Sequence, residues 1–233
     1  MRIGLFGYGK MGKMIEEIAH QRGHSLGAKI DVDTQRVDYA AMDVAIDFST
    51  PEAAFDNITN CFRHGVPVIS GTTGWLSRYG EAVEICGQYG GAFIHSTNFS
   101  LGVNIFFELN AHLARMMSAL DQYKVHMEET HHIHKLDAPS GTAITLAEGI
   151  IENSSHSGWE LDAGSEDKIP IKSIREGEVP GTHRVFYESG VDRIEIGHIA
   201  HNRQGFALGA VVAAEWILGK KGVHSMKDVL NLV

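Results

Sequence analysis

The sequence predicts an α/β protein in which a parallel sheet is followed by a second, α+β domain. Two changes of pattern carry this prediction. Residues 1–97 alternate short apolar runs with helical patterns, which is typical of βαβ units on a parallel sheet. Beyond Asn98 the pattern changes to a long helix, a polar loop and several strands in succession. We therefore expect two domains within the 233 residues.

In the first domain, apolar runs predict strands at residues 3–6, 25–30, 44–48, 66–70 and 92–95. The patterns between them predict helices at residues 13–21, 51–64 and 76–89. The helix at 51–64 is the best marked, because Pro51 stands at its first position and Gly65 follows its last turn.

In the second domain, the periodicity predicts helices at residues 101–117 and 141–153. Strands are predicted at 123–130, 169–175, 183–189 and 193–200, the last three in hairpin succession. Residues 154–168 are rich in Ser, Gly and acidic side chains, which predicts a surface loop. A final helix at 206–218 is apolar enough to pack back on the first domain.

Composition and charge exclude several classes of protein. The hydrophobic fraction of 43% and the charged fraction of 21% are ordinary for a globular chain, and a net charge of −9 argues against nucleic-acid or anionic-membrane partners. The longest apolar runs are far too short to span a bilayer, and no signal-peptide core follows Met1, so we expect a cytoplasmic protein. Cys61 and Cys86 form no metal or disulfide pattern and are expected to be buried thiols.

The segment Gly7-Tyr8-Gly9-Lys10-Met11-Gly12 is a GxGxxG motif between a predicted strand and a predicted helix. Glycine is needed there for a tight turn, for close approach to a pyrophosphate and for close packing of helix on strand. The helix N-terminus adds unpaired N–H groups that bind phosphate. This context predicts a Rossmann-like, doubly wound sheet that binds a nicotinamide dinucleotide.

Asp31 follows the second predicted strand, where an acidic side chain accepts hydrogen bonds from the ribose hydroxyls of NAD. The alternative is a carboxylate in an ordinary turn. The next residues, Val32 and Asp33, carry no positive charge to balance a 2′-phosphate. We therefore expect NADH to be used at least as well as NADPH.

Two further loops follow predicted strands at the edge where open α/β sheets bind ligands. They are Gly71-Thr72-Thr73-Gly74 and Ser96-Thr97-Asn98-Phe99-Ser100. Ordinary turn chemistry would explain either loop alone. Two such loops at one edge favour contact with the cofactor.

The densest chemistry lies in residues 129–142, which contain three histidines, Lys135 and a helix start. If Ser140 or Thr142 caps that helix, its N–H groups and hydroxyls form a carboxylate site. His131, His132 and Lys135 add donors and positive charge, so the segment predicts a small dicarboxylate substrate.

Two other interpretations of this segment remain open. One is a solvated histidine-rich loop. The other is a metal site formed by Glu128, His131, His132 and His134. The spacing differs from HExxH on one helical face, and Lys135 would repel a cation, so we expect no metal.

The same segment resembles the signature E-x-H-H-x-x-K-x-D-A-P-S-G-T-A of bacterial dihydrodipicolinate reductases. The matching residues are Glu129, His131, His132, Lys135, Asp137, Ala138, Pro139, Ser140, Gly141, Thr142 and Ala143. The resemblance extends to the glycine-rich start, the G-T-T-G loop, the N-F-S loop and the closing stretch Met226-Lys227-Asp228-Val229-Leu230. It therefore covers essentially the whole chain.

The resemblance implies the NAD(P)H-dependent reduction of dihydrodipicolinate, also written 4-hydroxy-tetrahydrodipicolinate, to tetrahydrodipicolinate in diaminopimelate and lysine biosynthesis. It implies a dinucleotide-binding domain at residues 1–100 and 206–233. It also implies a substrate domain at 101–205 whose open mixed sheet forms the core of a homotetramer.

The resemblance also assigns roles to residues. His131 would be the general acid that protonates the ring carbon next to the one receiving hydride, and Lys135 would hold the substrate and assist. The substrate carboxylates would be bound by His132, Lys135, Ser140, Gly141 and Thr142. The expected cofactor-binding residues are Gly7, Gly9, Lys10, Met11, Gly12, Asp31, Gly71, Thr72, Thr73, Ser96, Thr97, Asn98, Phe99, Arg203 and Phe206.

The chain departs from the family pattern by being short between Asp31 and Asp43 and by having Val32 where some members carry a basic residue. Both departures concern cofactor preference. The alternatives are a reductase of another oxo or imino acid, a dinucleotide-sensing protein without turnover, and a metal-dependent hydrolase. The sensing protein would have no use for an acid beside a lysine.

Overall fold

The computed structural model describes residues 1–162 and 165–232. The chain folds into two compact units. The first unit is Met1–Leu101 together with the chain from Gln204 onward, and the second unit is Gly102–Arg203. Among the helices of the described residues, none has both the length and the apolarity needed to cross a bilayer.

The described strands, in chain order, are β1 (Arg2–Phe6), β2 (Ser25–Ile30), β3 (Val44–Asp47), β4 (Val68–Ser70), β5 (Ala92–His95), β6 (Lys124–His131), β7 (Gly158–Leu161), β8 (Lys168–Arg175), β9 (Thr182–Glu188), β10 (Arg193–Ile199) and β11 (Gly222–His224). The described α-helices are α1 (Lys10–Gln21), α2 (Pro51–Arg63), α3 (Tyr79–Gln88), α4 (Leu101–Met117), α5 (Gly141–Ile151), α6 (Gln204–Ile217) and α7 (Met226–Leu230). Two 3₁₀ turns lie at Tyr39–Ala41 and Leu76–Arg78.

The first unit contains a parallel sheet with the strand order β11-β5-β4-β3-β1-β2. One face packs Ile3, Leu5 and Ile46 against apolar residues of α1 and α6. The other face packs Phe6 and Phe93 against α2 and α3. Helices therefore cover both faces, and the predicted doubly wound sheet is confirmed.

The glycine turn follows β1, which lies between β2 and β3 in the sheet. The chain direction across the sheet reverses at this point, and open α/β sheets bind ligands beside such a reversal. Helix α1 begins at Lys10, three residues earlier than the pattern predicted, because the last glycine of the motif lies inside its first turn. The short edge strand β11 was not predicted.

The second unit contains an open mixed sheet with the order β10-β9-β6-β8-β7. The central strand β6 pairs parallel with β8 and antiparallel with β9. Apolar residues of α4 and α5, among them Phe106 and Leu146, pack on one face against Val125, Met127 and Val185. The predicted α+β character of this region is confirmed.

Two predictions for the second unit are wrong. Strand β7 lies inside the predicted loop 154–168, because its Ser- and Gly-rich surroundings hide a four-residue edge strand that pairs with β8. Residues 163 and 164 of that loop lie outside the described residues. Strands β8 and β9 do not form a hairpin, since β6 lies between them in the sheet, whereas β9 and β10 do pair antiparallel.

Candidate active site

The three glycines of the turn after β1 meet three different demands. Gly7 has a φ of +89°, and a Cβ there would lie 2.2 Å from the carbonyl oxygen of Phe48. A Cβ on Gly12 would lie 2.4 Å from the carbonyl oxygen of Gly7. A Cβ on Gly9 would meet nothing within 4 Å, so its backbone faces open space. The turn therefore suits close approach of a phosphate at Gly9.

The N-terminus of α1 adds to this site. Its N-cap is Gly9, no side chain caps it, and no acidic residue stands in its first turn. Lys10 is exposed, and Met11 is half-buried against the core. Uncapped N–H groups and the positive end of the helix dipole fit the pyrophosphate of a dinucleotide.

Asp31 is exposed and directly follows β2 at the same edge of the sheet. Its carboxylate accepts a hydrogen bond from the N–H of Val32 at 3.0 Å. The nearby cation Lys29 is already engaged, because its Nζ lies 2.8 Å from the Tyr8 hydroxyl and 2.8 Å from a carboxylate oxygen of Glu16. The acidic side chain is therefore accessible to a ribose.

A buried carboxylate joins the loops that follow β3 and β4. Asp47 is fully buried and accepts hydrogen bonds from the hydroxyls of Ser49 at 2.6 Å, Ser70 at 3.0 Å and Thr72 at 2.8 Å, and from the amide of Asn57 at 3.2 Å. Burial raises the pKa of Asp47, and these donors oppose that shift. Sequence reasoning missed this residue, although it stands at the end of a predicted strand.

The other predicted cofactor loops follow β4 and β5, on the same edge of the sheet as the glycine turn. Thr73 and Thr97 are exposed, whereas Thr72 is buried and bound to Asp47. Phe99 is buried, and α6 packs so closely on it that a Cβ at Gly209 would lie 1.7 Å from its carbonyl oxygen. The remaining predicted residues of these loops are Gly71, Ser96 and Asn98, all half-buried. Phe206, half-buried on α6, also belongs to the first unit.

The second unit brings the signature residues together around one buried carboxylate. Strand β6 alternates in burial, so Glu129 and His131 share the face that the helices cover. Oε2 of Glu129 lies 2.9 Å from Nδ1 of His131, and both atoms are buried. The Glu129 side chain has no exposed surface.

The second oxygen of Glu129 is held by two donors. Arg175 of β8 donates from Nη2 to Oε1 at 3.0 Å, and the N–H of Ser140 donates to the same oxygen at 3.2 Å. Burial alone would raise the pKa of Glu129, but the contacts with His131, Ser140 and Arg175 outweigh burial and hold the pKa well below its ordinary value. The carboxylate is therefore ionised.

A second histidine, His183 of β9, lies beside His131. The rings of His131 and His183 are 5.0 Å apart between centroids at an interplanar angle of 71°. Burial, and then repulsion from His131, lower the pKa of His183 from 6.5 to about 3. His183 is therefore neutral at physiological pH, and its Nε2 lies 3.0 Å from the Ser140 hydroxyl.

Helix α5 begins at Gly141 and is capped by Ser140, whose Oγ accepts a hydrogen bond from the N–H of Ala143 at 3.2 Å. The predicted helix start is confirmed, with Ser140 as the cap. Ser140 is buried and both of its polar groups have partners inside the protein, whereas Gly141 is exposed and Thr142 half-buried. Contact of these three residues with a substrate stays a prediction.

The loop between His131 and Ser140 carries the predicted Lys135. Its Nζ pairs with both carboxylate oxygens of Asp137 at 2.8 Å. Arg175 donates to the carbonyl oxygens of Lys135 at 3.3 Å and Asp137 at 2.6 Å, which fixes the loop backbone. His132 is half-buried, and its Nε2 lies 3.4 Å from Nη2 of Arg203, which belongs to this second unit.

The metal site considered from the sequence does not form as described. Glu128 lies on the opposite face of β6 from Glu129 and is 3.7 Å from Lys172. Among the described residues, the cluster with metal-site geometry is instead Glu129, His131 and His183, whose ligand atoms lie within 4.8 Å of one another. Arg175 already binds that carboxylate, and a guanidinium at 3.0 Å opposes a cation there.

Sequence reasoning therefore missed Arg175 and His183 and gave Glu129 no role. Arg175 and His183 stand on β8 and β9, far along the chain from the signature, and pairing of those strands with β6 brings them to Glu129.

Two family models match the chain. The N-terminal model of dihydrodipicolinate reductase matches residues 1–99, and the C-terminal model of the same enzyme matches residues 102–230. Together they span nearly the whole chain.

Curated relatives agree with these matches. The chain is 58% identical to a 4-hydroxy-tetrahydrodipicolinate reductase of Christiangramia forsetii, with 99% of this chain and 98% of the relative covered. It is 38% identical to the enzyme of that name from Archaeoglobus fulgidus, with 97% and 88% covered. A dipicolinate-bound dihydrodipicolinate reductase from Paenisporosarcina sp. TG-14 shares the fold, with a TM-score of 0.80, 22% identity and 100% and 99% of the two chains covered. This chain belongs to the dihydrodipicolinate reductase family.

Proposed function

We propose that this chain reduces 4-hydroxy-tetrahydrodipicolinate to tetrahydrodipicolinate with NAD(P)H, as a step of diaminopimelate and lysine biosynthesis. The observation that carries the proposal is the arrangement of the signature residues: His131 contacts the ionised Glu129, and Lys135 lies on the loop that leaves the same strand. The full-length match to curated reductases supports the same substrate.

The nicotinamide dinucleotide supplies hydride when bound. In the first unit, the residues that would hold it are the glycine turn, Asp31 and the loops after β4 and β5, and the open backbone at Gly9 fits its phosphates. In the second unit, Arg203 is exposed and is proposed to contact the cofactor as well. The domain roles assigned to residues 1–100 with 206–233 and to 101–205 are part of this proposal.

His131 delivers the proton. Its Nδ1 is buried against Glu129, so Nε2 is the ring nitrogen that gives a proton to the ring carbon next to the one receiving hydride. A Cβ at Gly181 would lie 3.1 Å from that Nε2, so glycine leaves space beside it. Lys135, His132 and the N-terminus of α5 bind the substrate carboxylates and supply the positive charge that an acidic protein needs locally.

The experiment follows NADH oxidation with the freshly made condensation product of pyruvate and aspartate semialdehyde. We expect His131→Ala to lower kcat by about 10²- to 10⁴-fold, the usual contribution of a positioned acid. Lys135→Ala should lower kcat/KM, and His134→Ala, an exposed change in the same loop, should match the wild type. Wild-type rates in both His131→Ala and Lys135→Ala, or no turnover by the wild type, would refute the function.

We propose that NADH is used at least as well as NADPH. The support is the accessible Asp31, the neutral Val32 after it and the engagement of Lys29 with Glu16. Arg36 is exposed in the following loop, so Arg36→Ala tests whether it balances a 2′-phosphate. The proposal is contradicted if kcat/KM is more than about tenfold higher with NADPH than with NADH, which corresponds to about 1.4 kcal/mol of transition-state stabilisation.

We propose that the reaction needs no metal, since Oε1 of Glu129 is bound by Arg175 and Ser140. Prolonged treatment with a chelator should leave the rate unchanged, and a loss restored by zinc would contradict the proposal. A cytoplasmic location is expected of an enzyme that uses a freely diffusing dinucleotide, and cell fractionation tests it.

We propose a homotetramer built on the second unit's sheet. In the central strand β6, the side chains of His126, Glu128 and Thr130 alternate with buried ones and stay half-buried, which indicates a face that no helix of the described residues covers. Phe186 stacks on His126 on that face with centroids 4.7 Å apart. Sedimentation equilibrium should give four times the mass of one chain, and a monomer at micromolar concentration would contradict the assembly.

A further inference from the structure

A buried ion pair lies behind both reacting side chains of the proposed site. Arg175 is outside the signature, and it binds at once the Glu129 carboxylate and the carbonyl oxygens of Lys135 and Asp137. Glu129 in turn contacts His131. We propose that Glu129 and Arg175 are positioning residues, Glu129 for the ring of His131 and Arg175 for the loop that carries Lys135.

The geometry gives Glu129 a defined task. Its side chain has no exposed surface, and its Oε2 faces the buried Nδ1 of His131 at 2.9 Å. A carboxylate in that place holds the proton on Nδ1 of the neutral ring and leaves Nε2 as the atom that gains and loses a proton. The charged and titratable groups around His131 are Glu129 on its own strand, Arg175 on β8, His183 on β9 and Lys135 on the loop.

The geometry gives Arg175 a different task. The planar guanidinium of Arg175 has several N–H donors in fixed directions, so it can bind one carboxylate and two carbonyl oxygens together. A lysine side chain has a single ammonium and lacks this arrangement. The side chain is 20% exposed, so these bonds are largely shielded from water. Without the guanidinium, the loop from His132 to Pro139 loses its anchor to the sheet, and Lys135 loses its fixed place. The inference rests on the proposed function for its kinetic readouts, but the tautomer of His131 tests it without substrate.

The experiment compares two variants, each with a matched control. Glu129→Gln keeps the shape of the side chain, and Glu148→Gln makes the same change at an exposed position of α5. We expect Glu129→Gln to lower kcat by about 10²-fold, because the carboxylate that orients the ring of His131 is lost. In ¹⁵N spectra of the histidine-labelled variant, the neutral ring of His131 should no longer carry its proton on Nδ1 alone. The substrate KM should stay within about threefold, since a group that acts only in the transition state lowers kcat.

Arg175→Lys keeps the charge, and Arg63→Lys is its control at an exposed position of α2. Arg175→Lys should raise the substrate KM by about tenfold or more, because the loop that carries Lys135 is misplaced, while the tautomer of His131 stays that of the wild type. The inference is overturned if Glu129→Gln keeps the kcat and the His131 tautomer of the wild type, if Arg175→Lys leaves the substrate KM unchanged, or if either control variant behaves as the variant it is matched to.

If a variant does not fold, ¹⁵N spectra of histidine-labelled wild type decide the matter. The neutral ring of His131 should carry its proton on Nδ1, and a proton on Nε2 instead overturns the role of Glu129. A wild type with the expected tautomer but no turnover would refute the proposed function and leave the positioning of His131 standing. An active wild type with the wrong tautomer would do the reverse.

Discussion

The buried His183 makes the stability of the protein depend on pH in a window that can be isolated. Its pKa is lowered to about 3 from the ordinary 6.5, first by burial and then by His131. When the pKa of a group is lower in the folded state, the unfolded chain binds the extra proton as the pH falls below 6.5. The stabilisation is therefore complete above pH 6.5 and is lost as the pH falls toward the folded value.

The magnitude follows from the proton uptake. Each pH unit over which the unfolded chain alone binds the proton costs about 1.4 kcal/mol. From pH 6.5 to 4.5 the loss assigned to His183 is about 2 kcal/mol, because the uptake is still incomplete at the upper end. Glu129 contributes little in this window, since its pKa is lowered in the fold and its own loss begins near the ordinary value of 4.5.

The test is His183→Gln, which removes the titrating ring but keeps a group able to bond the Ser140 hydroxyl. Urea unfolding at a fixed protein concentration, followed by circular dichroism, gives the free energy of unfolding at each pH. The gap between wild type and His183→Gln should shrink by about 2 kcal/mol from pH 6.5 to 4.5, while His134→Gln, an exposed change, follows the wild type throughout. A gap that stays constant over this range would refute the neutral, buried state of His183.

Three further changes test the geometry elsewhere. Gly12→Ala puts a Cβ 2.4 Å from the Gly7 carbonyl oxygen. We expect the free energy of unfolding to fall by about 1–3 kcal/mol and NADH to bind more weakly in a fluorescence titration. An unchanged affinity would contradict the role of this turn in binding the cofactor. Asp47→Asn replaces one acceptor oxygen of a buried network of four donors with an NH₂ group and should lower the free energy of unfolding by about 1–3 kcal/mol in thermal unfolding. A loss under about 1 kcal/mol would contradict the network. Ser140→Ala removes the side-chain cap of α5 and should lower the free energy of unfolding in urea by about 1 kcal/mol. An unchanged unfolding midpoint would show that the cap does not stabilise the fold.

Local patterns predicted the first unit well because its determinants are local. The glycine turn needs only three glycines between a strand and a helix, and the structure shows that a Cβ would clash at Gly7 and Gly12 and that the backbone at Gly9 is open. The buried strands of a parallel sheet appear as apolar runs, as in β3 and β5. The role of Asp47 was not predicted, because it depends on hydrogen-bond donors from β4 and α2 that no local sequence pattern reveals.

The second unit was predicted less well because its sheet is assembled from strands distant in sequence. Three successive strands suggested hairpins, yet β6 enters between β8 and β9. The same insertion brings Arg175 and His183 to either side of Glu129. The residues that control the site's charge were therefore hidden for the same reason that the hairpin prediction was wrong.

The spacing of the signature has a physical explanation in this arrangement. The chain leaves β6 after His131, turns through the loop and returns at Ser140, whose N–H closes on the carboxylate of Glu129 at 3.2 Å. The hydrogen bond between Glu129 and Ser140 therefore closes a ring of residues 129–140. The number of residues between them is set by the distance that the loop must span. Arg175 binds the ring from β8 at three points, so an insertion in the loop would break bonds to Glu129 and to the loop carbonyls together. The fixed spacing follows from that closure, because a buried carboxylate left without its donors would be costly to ionise.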